Sequence, residues 1–247
     1  MLTIRRIAKG GVSRLSRIFH LSFSKLSQGK KRCNACGRTV SGFYRYGGRP
    51  FGCPFCRSST RERFVNYALS SGRLKVPEGT IGVLHVAPSE QSLIGLFSQI
   101  PGYAPVDLFP QLYRATVTRK FDLMQSSSYS TYGLVYLSHV MEHVPDDRLV
   151  LKHIFKALKP GGEAWFLIPM WSKKTQDGTE GMSGIDRERA FGQWDHARMY
   201  GPDFEDRLLE AGFQVHILTA ESMPDDIKEL YGLQKLDWIF CAVKPKD

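Results

Sequence analysis

"YGLVYLSHVMEHVPDD", residues 132–147, decides how the rest of the chain is read. Its first seven residues are apolar and β-rich, as in a strand buried on both faces of a parallel sheet. Its second half carries His139, Glu142 and His143, the H-x-x-E-H spacing of inverted zinc proteases. That chemistry needs a helix, because only there do positions four apart aim two imidazoles at one ion. Pro145 stands two residues past His143 and biases Val144 away from helical geometry. The flanks therefore argue against a helix, and residues 132–138 read as a buried strand.

Working downstream, a helix is expected from Asp146 and Asp147, with Leu151, Ile154, Phe155 and Leu158 on one face and Lys156 and Lys159 in its last turn. Pro160-Gly161-Gly162 should stop it. "EAWFLIP" (163–169) is a second clear strand, "PDFEDRLLEAG" (202–212) a further helix, and "FQVHIL" (213–218) and "DWIFCAV" (237–243) closing strands. Upstream, "IGVLHVA" (81–87) suits a buried strand, with Ser89 as the N-cap of the helix after it, while "YAPVDLF" (103–109) is a weaker strand because of Pro105. Strands alternating with helices imply an α/β fold, a doubly wound and mostly parallel sheet with its ligand beyond the carboxyl ends of the strands.

The basic character is not spread evenly. Residues 1–75 carry 17 Lys/Arg against one acid, Glu62, a net charge of +16, and residues 76–247 carry −6. Such asymmetry suits a nucleic acid or an anionic membrane as partner. Residues 1–28 read as a basic tail, and a helix placing Val12, Leu15, Ile18 and Phe19 on one side would lie on a membrane surface. Their Arg-rich, Ser-rich, acid-free composition is one that transit peptides share. No apolar run approaches the roughly 18 residues of a membrane span. A cytoplasmic protein, peripheral at a membrane where the tail engages one, is the expectation.

Cys33-x2-Cys36 and Cys53-x2-Cys56 lie 16 residues apart, the spacing of a four-cysteine zinc site in a reducing compartment. With no open coordination position, that zinc is structural. Between the pairs, two short strands around the Gly47-Gly48 turn would carry Phe43, Tyr44, Tyr46 and Phe51 over the metal. The basic residues about the knuckles interleave with aromatics, as in nucleic-acid-binding ribbons, or they solvate a small domain. Ser59-x-x-Glu62 is a capping-box pattern opening a linking helix. The domains expected are a basic tail (1–28), a zinc ribbon (29–58), a linking helix (59–76) and the α/β domain (77–247). Cys241 reads as a small buried hydrophobe.

"RCNACGRTVSGFYRYGGRPFGCPFC" (32–56), "VLHVAPSE" (83–90), "VYLSHVMEHVPDDRLVLKHIFKALKPGG" (135–162) and "FGQWDHARMYGPDFEDRLLEAGF" (191–213) together resemble class I S-adenosylmethionine-dependent methyltransferases, in the subgroup with an N-terminal zinc ribbon. The resemblance implies a seven-stranded Rossmann-like methyltransferase sheet and S-adenosylmethionine as cofactor. It places Ala87, Pro88, Ser89 and Glu90, where most of the superfamily has a glycine-rich turn, around the methionine part of the donor. A helix start at Ser89 would offer N–H groups to the donor's carboxylate. Asp107 would take the ribose hydroxyls, Asp122 would sit near the adenine, and Ser138 and His139 would border the transferred methyl. A hydroxyl acceptor must also lose its proton, and His139, His143 and His196 are the candidates. His196, oriented by Asp195 on the long 170–202 connection, is the preferred base. Alternatively, His139, Glu142, His143 and His196 gather a divalent ion. The implied reaction is methyl transfer to an O or N acceptor on a small molecule or saccharide; the alternatives are an RNA methyltransferase of the ribosomal type and a catalytically weak S-adenosylmethionine-binding module.

Overall fold

The computed structural model describes residues 2–26, 29–46, 49–113, 118–125 and 129–246, and for residues 2–10, 25 and 26 the backbone alone. The expected Gly47-Gly48 turn lies outside the described residues. The chain divides into two compact units. One takes in the residues up to Lys75 together with Glu90–Leu93 and Ala220–Asp237; the other comprises Val76–Ser89, Ile94–Thr219 and the residues from Trp238 on.

The second unit is built on a seven-stranded sheet. Its strands in chain order are β1 (Val83–Val86), β2 (Tyr103–Asp107), β3 (Arg119–Lys120), β4 (Tyr132–Ser138), β5 (Leu158–Pro169), β6 (Gln214–Thr219) and β7 (Asp237–Val243). They lie side by side in the order β6-β7-β5-β4-β1-β2-β3. The pairs β1 with β2, β1 with β4, β2 with β3 and β4 with β5 are parallel, and β6 with β7 is antiparallel. β1 and the last six residues of β4 are wholly buried, which is why they read as unbroken apolar runs. Pro105 is tolerated within β2 because β3 pairs only with Val106 and Asp107.

Helix α4 (Asp147–Ala157) is capped by Asp146, whose Oδ1 accepts the Leu149 N–H at 2.9 Å. It buries Val150, Leu151 and Ile154 in the core formed by Leu84, Val86, Val135, Leu137, Phe166 and Ile168. α6 (Phe204–Glu210) adds Phe204 and Leu208 to the same core. α4 ends at Ala157, and Leu158 is already extended as the first residue of β5. Lys159 and the Pro160-Gly161-Gly162 stop expected of the helix thus belong to the strand, because tyrosine 132 of β4 already pairs with Leu158. Residues 170–202 are not a bare loop: they hold the helix α5 (Gly184–Phe191) and an antiparallel pair, Gln176–Asp177 with Arg198–Met199.

The N-terminal unit contains α1 (Leu2–Leu26), two small ribbons, α2 (Thr60–Ser70) and a helix not expected above, α7 (Asp225–Tyr231). Lys31–Arg32 pairs with Thr39–Val40, and Tyr44–Tyr46 with Arg49–Gly52. Ser59 caps α2, its Oγ accepting the Glu62 N–H at 3.2 Å. The capping box is only half made, however, since the Glu62 carboxylate accepts from the Ser92 N–H (3.0 Å) and Oγ–H (2.7 Å). Arg63 is buried and stacks 3.7 Å from the Phe43 ring centroid. Its guanidinium donates to the carbonyls of Phe51, Ser58, Tyr231 and Gly232, which spreads its charge over four dipoles. Gly232 has φ +60°, and a Cβ there would lie 2.4 Å from the Phe43 ring, so only glycine fits.

Candidate active site and zinc centre

The two cysteine knuckles are built alike. The Cys33 carbonyl accepts the Gly37 N–H at 2.7 Å and the Cys53 carbonyl the Arg57 N–H at 2.9 Å. Each loop then closes with the cysteine N–H donating to a carbonyl, Arg38 (2.9 Å) and Ser58 (3.0 Å). Gly37 and Arg57 occupy the same left-handed position, φ +73° and +66°. All four sulfurs lie within 4.8 Å of one another, with Cys33–Cys56 at 3.6 Å and Cys36–Cys53 at 3.9 Å. Zn–S bonds of about 2.3 Å set tetrahedral edges at about 3.8 Å, so the cluster fits a structural zinc. Burial pushes the Cys36 thiol up to about 11, and hydrogen bonding within the cluster raises Cys53 while lowering Cys33. The four sulfurs need a cation before all can carry charge.

In the sheet unit, strand order reverses between β1 and β4, and a doubly wound sheet binds its ligand beyond the carboxyl ends at that point. Both strands end in left-handed backbone at a non-glycine residue, Ala87 (φ +53°) and His139 (φ +55°). Such strain persists only where the surroundings impose it: the Ala87 N–H is fixed on Val106 O (2.9 Å) and the His139 N–H on Leu167 O (3.0 Å). Ser138, the last residue of β4, is buried, and its Oγ finds no hydrogen-bond partner among the described residues. A polar ligand at this point would supply one. Asp107 Oδ1 accepts the Phe109 N–H (2.6 Å) and Oδ2 the Tyr113 hydroxyl (3.0 Å), leaving lone pairs on both oxygens for a diol. Asp122 Oδ1 caps the short turn Leu123–Gln125 through the Met124 N–H (2.9 Å). These residues fit a nucleoside-type ligand.

The turn after β1 departs from expectation. The helix α3 (Gln91–Phe97) starts two residues beyond Ser89, and the N–H of Ser92 in its first turn is taken by Glu62. Glu90 is buried in the N-terminal unit, 3.4 Å from Arg61 Nε. The helix expected to start at Ser89 thus begins at Gln91, and its first turn is held by the buried Glu62 carboxylate instead of a Ser89 cap.

The histidines separate into two groups. His139 Nδ1 lies 3.4 Å from Glu142 Oε1. His143 Nδ1 lies 3.4 Å from Asp195 Oδ2, and its ring meets His196 edge-on at 4.7 Å between centroids. Trp171 stacks on the other side of His196 at 6.3 Å. Burial, then the His143 charge, pushes His196 down to about 4, against the pull of Asp195. Residues 139–145 are not helical, which removes the protease geometry. Among the described residues, the four cysteines alone gather three or more such donor atoms within 4.8 Å; His139, Glu142, His143 and His196 do not form a second metal set.

Sequence reasoning missed Arg198. Its guanidinium donates to the carbonyls of Met141 (3.2 Å), Val144 (2.5 Å) and Pro145 (2.9 Å), and the Ala197 N–H donates to Glu142 O (2.7 Å). The "DHAR" stretch (195–198) thus fastens the loop that carries His139 and His143. No period or cap marks such a residue, because its carbonyl partners come from a segment more than fifty residues upstream.

Buried neutral histidines give a pH test. His85 on β1 has its Nδ1 3.1 Å from the Tyr103 hydroxyl, and burial pushes it down to about 3. Because the folded values of His85 and His196 lie below the unfolded 6.5, the unfolded chain binds two more protons as pH falls below 6.5. Stability is full above 6.5 and declines towards pH 4, by about 1.4 kcal/mol per pH unit for each proton. Denaturant titrations at pH 7 and 4.5 should show His85→Leu losing about half of that slope; an unchanged slope refutes the assignment.

An open sheet in the order 3-2-1-4-5-7-6 with strained turns at its switch point defines a doubly wound enzyme that binds a nucleoside-type cofactor. A family described as a methyltransferase domain matches residues 78–218. The chain belongs to that family and is a class I S-adenosylmethionine-dependent methyltransferase. A solved S-adenosylmethionine-dependent methyltransferase from Archaeoglobus fulgidus shares the fold: 15% identity, 74% of this chain and 94% of that chain covered, TM-score 0.52. A second, from Mesorhizobium loti, is 16% identical over 70% of this chain and 95% of that one, with a TM-score of 0.47. No protein with a curated description matches significantly.

Proposed function

We propose that this methyltransferase acts on an O or N acceptor of a small molecule or saccharide, with His143 receiving the acceptor's proton. The observation that carries the proton assignment is the 3.4 Å approach of Asp195 Oδ2 to His143 Nδ1, which orients the ring and leaves Nε2 for substrate. His196 is buried with its pKa near 4, a poor proton acceptor at neutral pH, and serves as the wall against which the half-exposed His143 stands. Asp195, expected to orient His196, is thereby assigned to His143.

S-adenosylmethionine supplies an electrophilic methyl on a sulfonium. Asp107 would hold the ribose hydroxyls, Asp122 would lie by the adenine, Ala87, Pro88 and Ser89 would flank the methionine part, and Ser138 and His139 would border the methyl. The chain's task is to align acceptor and methyl and to keep water out. As the acceptor oxygen forms its bond to carbon and the carbon–sulfur bond breaks, the hydroxyl proton passes to His143 Nε2. A non-polyanionic acceptor is favoured by the −6 charge of residues 76–247, which hold the sheet and its site, since phosphate backbones need Lys/Arg there.

Purified protein incubated with methyl-labelled donor and separate polysaccharide, small-metabolite, lipid and RNA fractions should label the saccharide or small-molecule fraction; label confined to RNA refutes the proposal. On the acceptor so found, His143→Ala should lower kcat by about 10² to 10³ with donor binding unchanged, and His196→Phe by less. A larger loss in His196→Phe would return the proton to His196.

A further inference from the structure

α1 carries its polarity inside out. Several of its polar residues face the ribbons of its own unit: Ser16 Oγ accepts the Arg45 N–H (3.0 Å), Arg17 Nε donates to Pro54 O (2.9 Å), and Ser24 Oγ accepts the Ser41 N–H (2.8 Å). His20 Nδ1 meets Ser41 Oγ at 3.4 Å, and the packing is close enough that a Cβ on Gly42 would lie 2.6 Å from the His20 ring. Positions 16, 20 and 24 are one helical face. The adjoining, solvent-facing flank presents Val12 (63% exposed), Leu15 (70%), Phe19 (58%) and Phe23 (50%), spaced three or four apart, with Ile18 (60%) beyond them. The rings of Phe19 and Phe23 stack at 5.2 Å, forming a continuous apolar ridge. A helix that merely packed on the ribbon would bury this stripe and expose the serines.

The charge of the helix says what covers the ridge. Leu2–Leu26 contains Arg5, Arg6, Lys9, Arg14, Arg17 and Lys25 and no acid. The same unit exposes Lys30, Arg32, Arg38, Arg45, Arg49 and Arg57. No helix among the described residues is long and apolar enough to cross a membrane. A helix of 25 residues with a Phe/Leu stripe, low overall hydrophobicity and an acid-free basic complement has the chemistry of an interfacial element. We propose that α1 lies in the surface of an anionic bilayer, its Val12–Phe23 ridge sunk to the acyl boundary and the basic residues of the N-terminal unit on the lipid phosphates. The docking is independent of the acceptor and holds whichever molecule is methylated.

Flotation of the full-length, zinc-loaded protein with vesicles tests it. Vesicles of phosphatidylcholine with about one third phosphatidylserine should bind the protein at least about tenfold more tightly than pure phosphatidylcholine, and about 0.5 M salt should weaken that binding as strongly. Phe19→Ser/Phe23→Ser should lower anionic-vesicle binding by a further tenfold or more, with zinc content and donor binding unchanged. Phe19→Trp should show a blue-shifted emission on adding the anionic vesicles. Three results overturn the proposal: equal binding of the serine variant and the parent, no binding to anionic vesicles, or a concentration-dependent dimer that the serine variant abolishes. The last would mean that a second copy covers the ridge.

Discussion

Cys53→Ser should release the zinc and unfold the N-terminal unit. The ribbon's own core consists of Cys33, Val40, Phe43 and Cys53, with Ala35, Cys36 and Phe55 packed against it. So few apolar side chains cannot offset the ordering of some thirty residues, each of which costs roughly 1–2 kcal/mol. Binding of a four-thiolate zinc contributes on the order of 10–16 kcal/mol at neutral pH, and in a site this small that is folding free energy. The damage should travel. Phe43 lies against the Arg63 guanidinium, whose other contacts are carbonyls of Phe51, Ser58, Tyr231 and Gly232. Losing the ribbon leaves a buried arginine without half its acceptors and loosens α2 and the 220–237 segment with it. One zinc per chain by elemental analysis, and protease cleavage between residues 29 and 75 in the variant alone, are the expected readings. A Cys53→Ser protein that keeps its metal and resists cleavage would disprove the structural role.

Asp147→Asn should destabilise the sheet unit by about 3–5 kcal/mol, the cost of stranding a buried charge. Asp147 Oδ2 accepts from Arg207 Nη1 (2.5 Å) and the Tyr200 hydroxyl (2.7 Å), with Arg198 Nε at 3.6 Å. Asp177 shares both arginines, Oδ1 with Arg198 Nε at 2.8 Å and Oδ2 with Arg207 Nη2 at 2.5 Å. Two carboxylates thus balance two arginines, both nearly inaccessible to solvent. Burial pushes Asp177 up, but Arg207 and Arg198 outweigh it and bring it down to about 2. A folded value below the unfolded 3.8 means that its contribution is present above pH 3.8 and is lost as pH falls through about 2. The network also serves the site, since Arg198 holds the 141–145 loop. Arg198→Met should therefore lower methyl transfer by more than its loss of stability explains. Denaturant midpoints at constant m-value measure the first effect; a change below about 1 kcal/mol for Asp147→Asn would show that the arginines re-pair elsewhere.

Local sequence signals stop short at the half-made capping box. The last strand residue before His139 is legible, because an apolar run must end where the chain leaves the sheet. The fate of Glu62 is not: its i,i+3 pattern is satisfied by Ser59 alone, and its carboxylate crosses 30 residues to Ser92. Likewise Asp195 stands next to His196 in the chain but turns to His143. Adjacent residues on an irregular connection need not face each other, and only the path of that connection decides which carboxylate meets which ring.

The α/β alternation, the strand at 132–138, the capped helix after it and the paired cysteine knuckles are all written locally in the chain. Each of these is carried by a period, a cap or a spacing within a few residues. Long-range packing sets the rest: residues 220–237 join the N-terminal unit, α1 turns an apolar flank outward, Arg198 fastens the 141–145 loop and Asp195 meets His143. Those outcomes depend on contacts between segments tens of residues apart, where burial and charge pairing choose among partners that are equivalent in the local code.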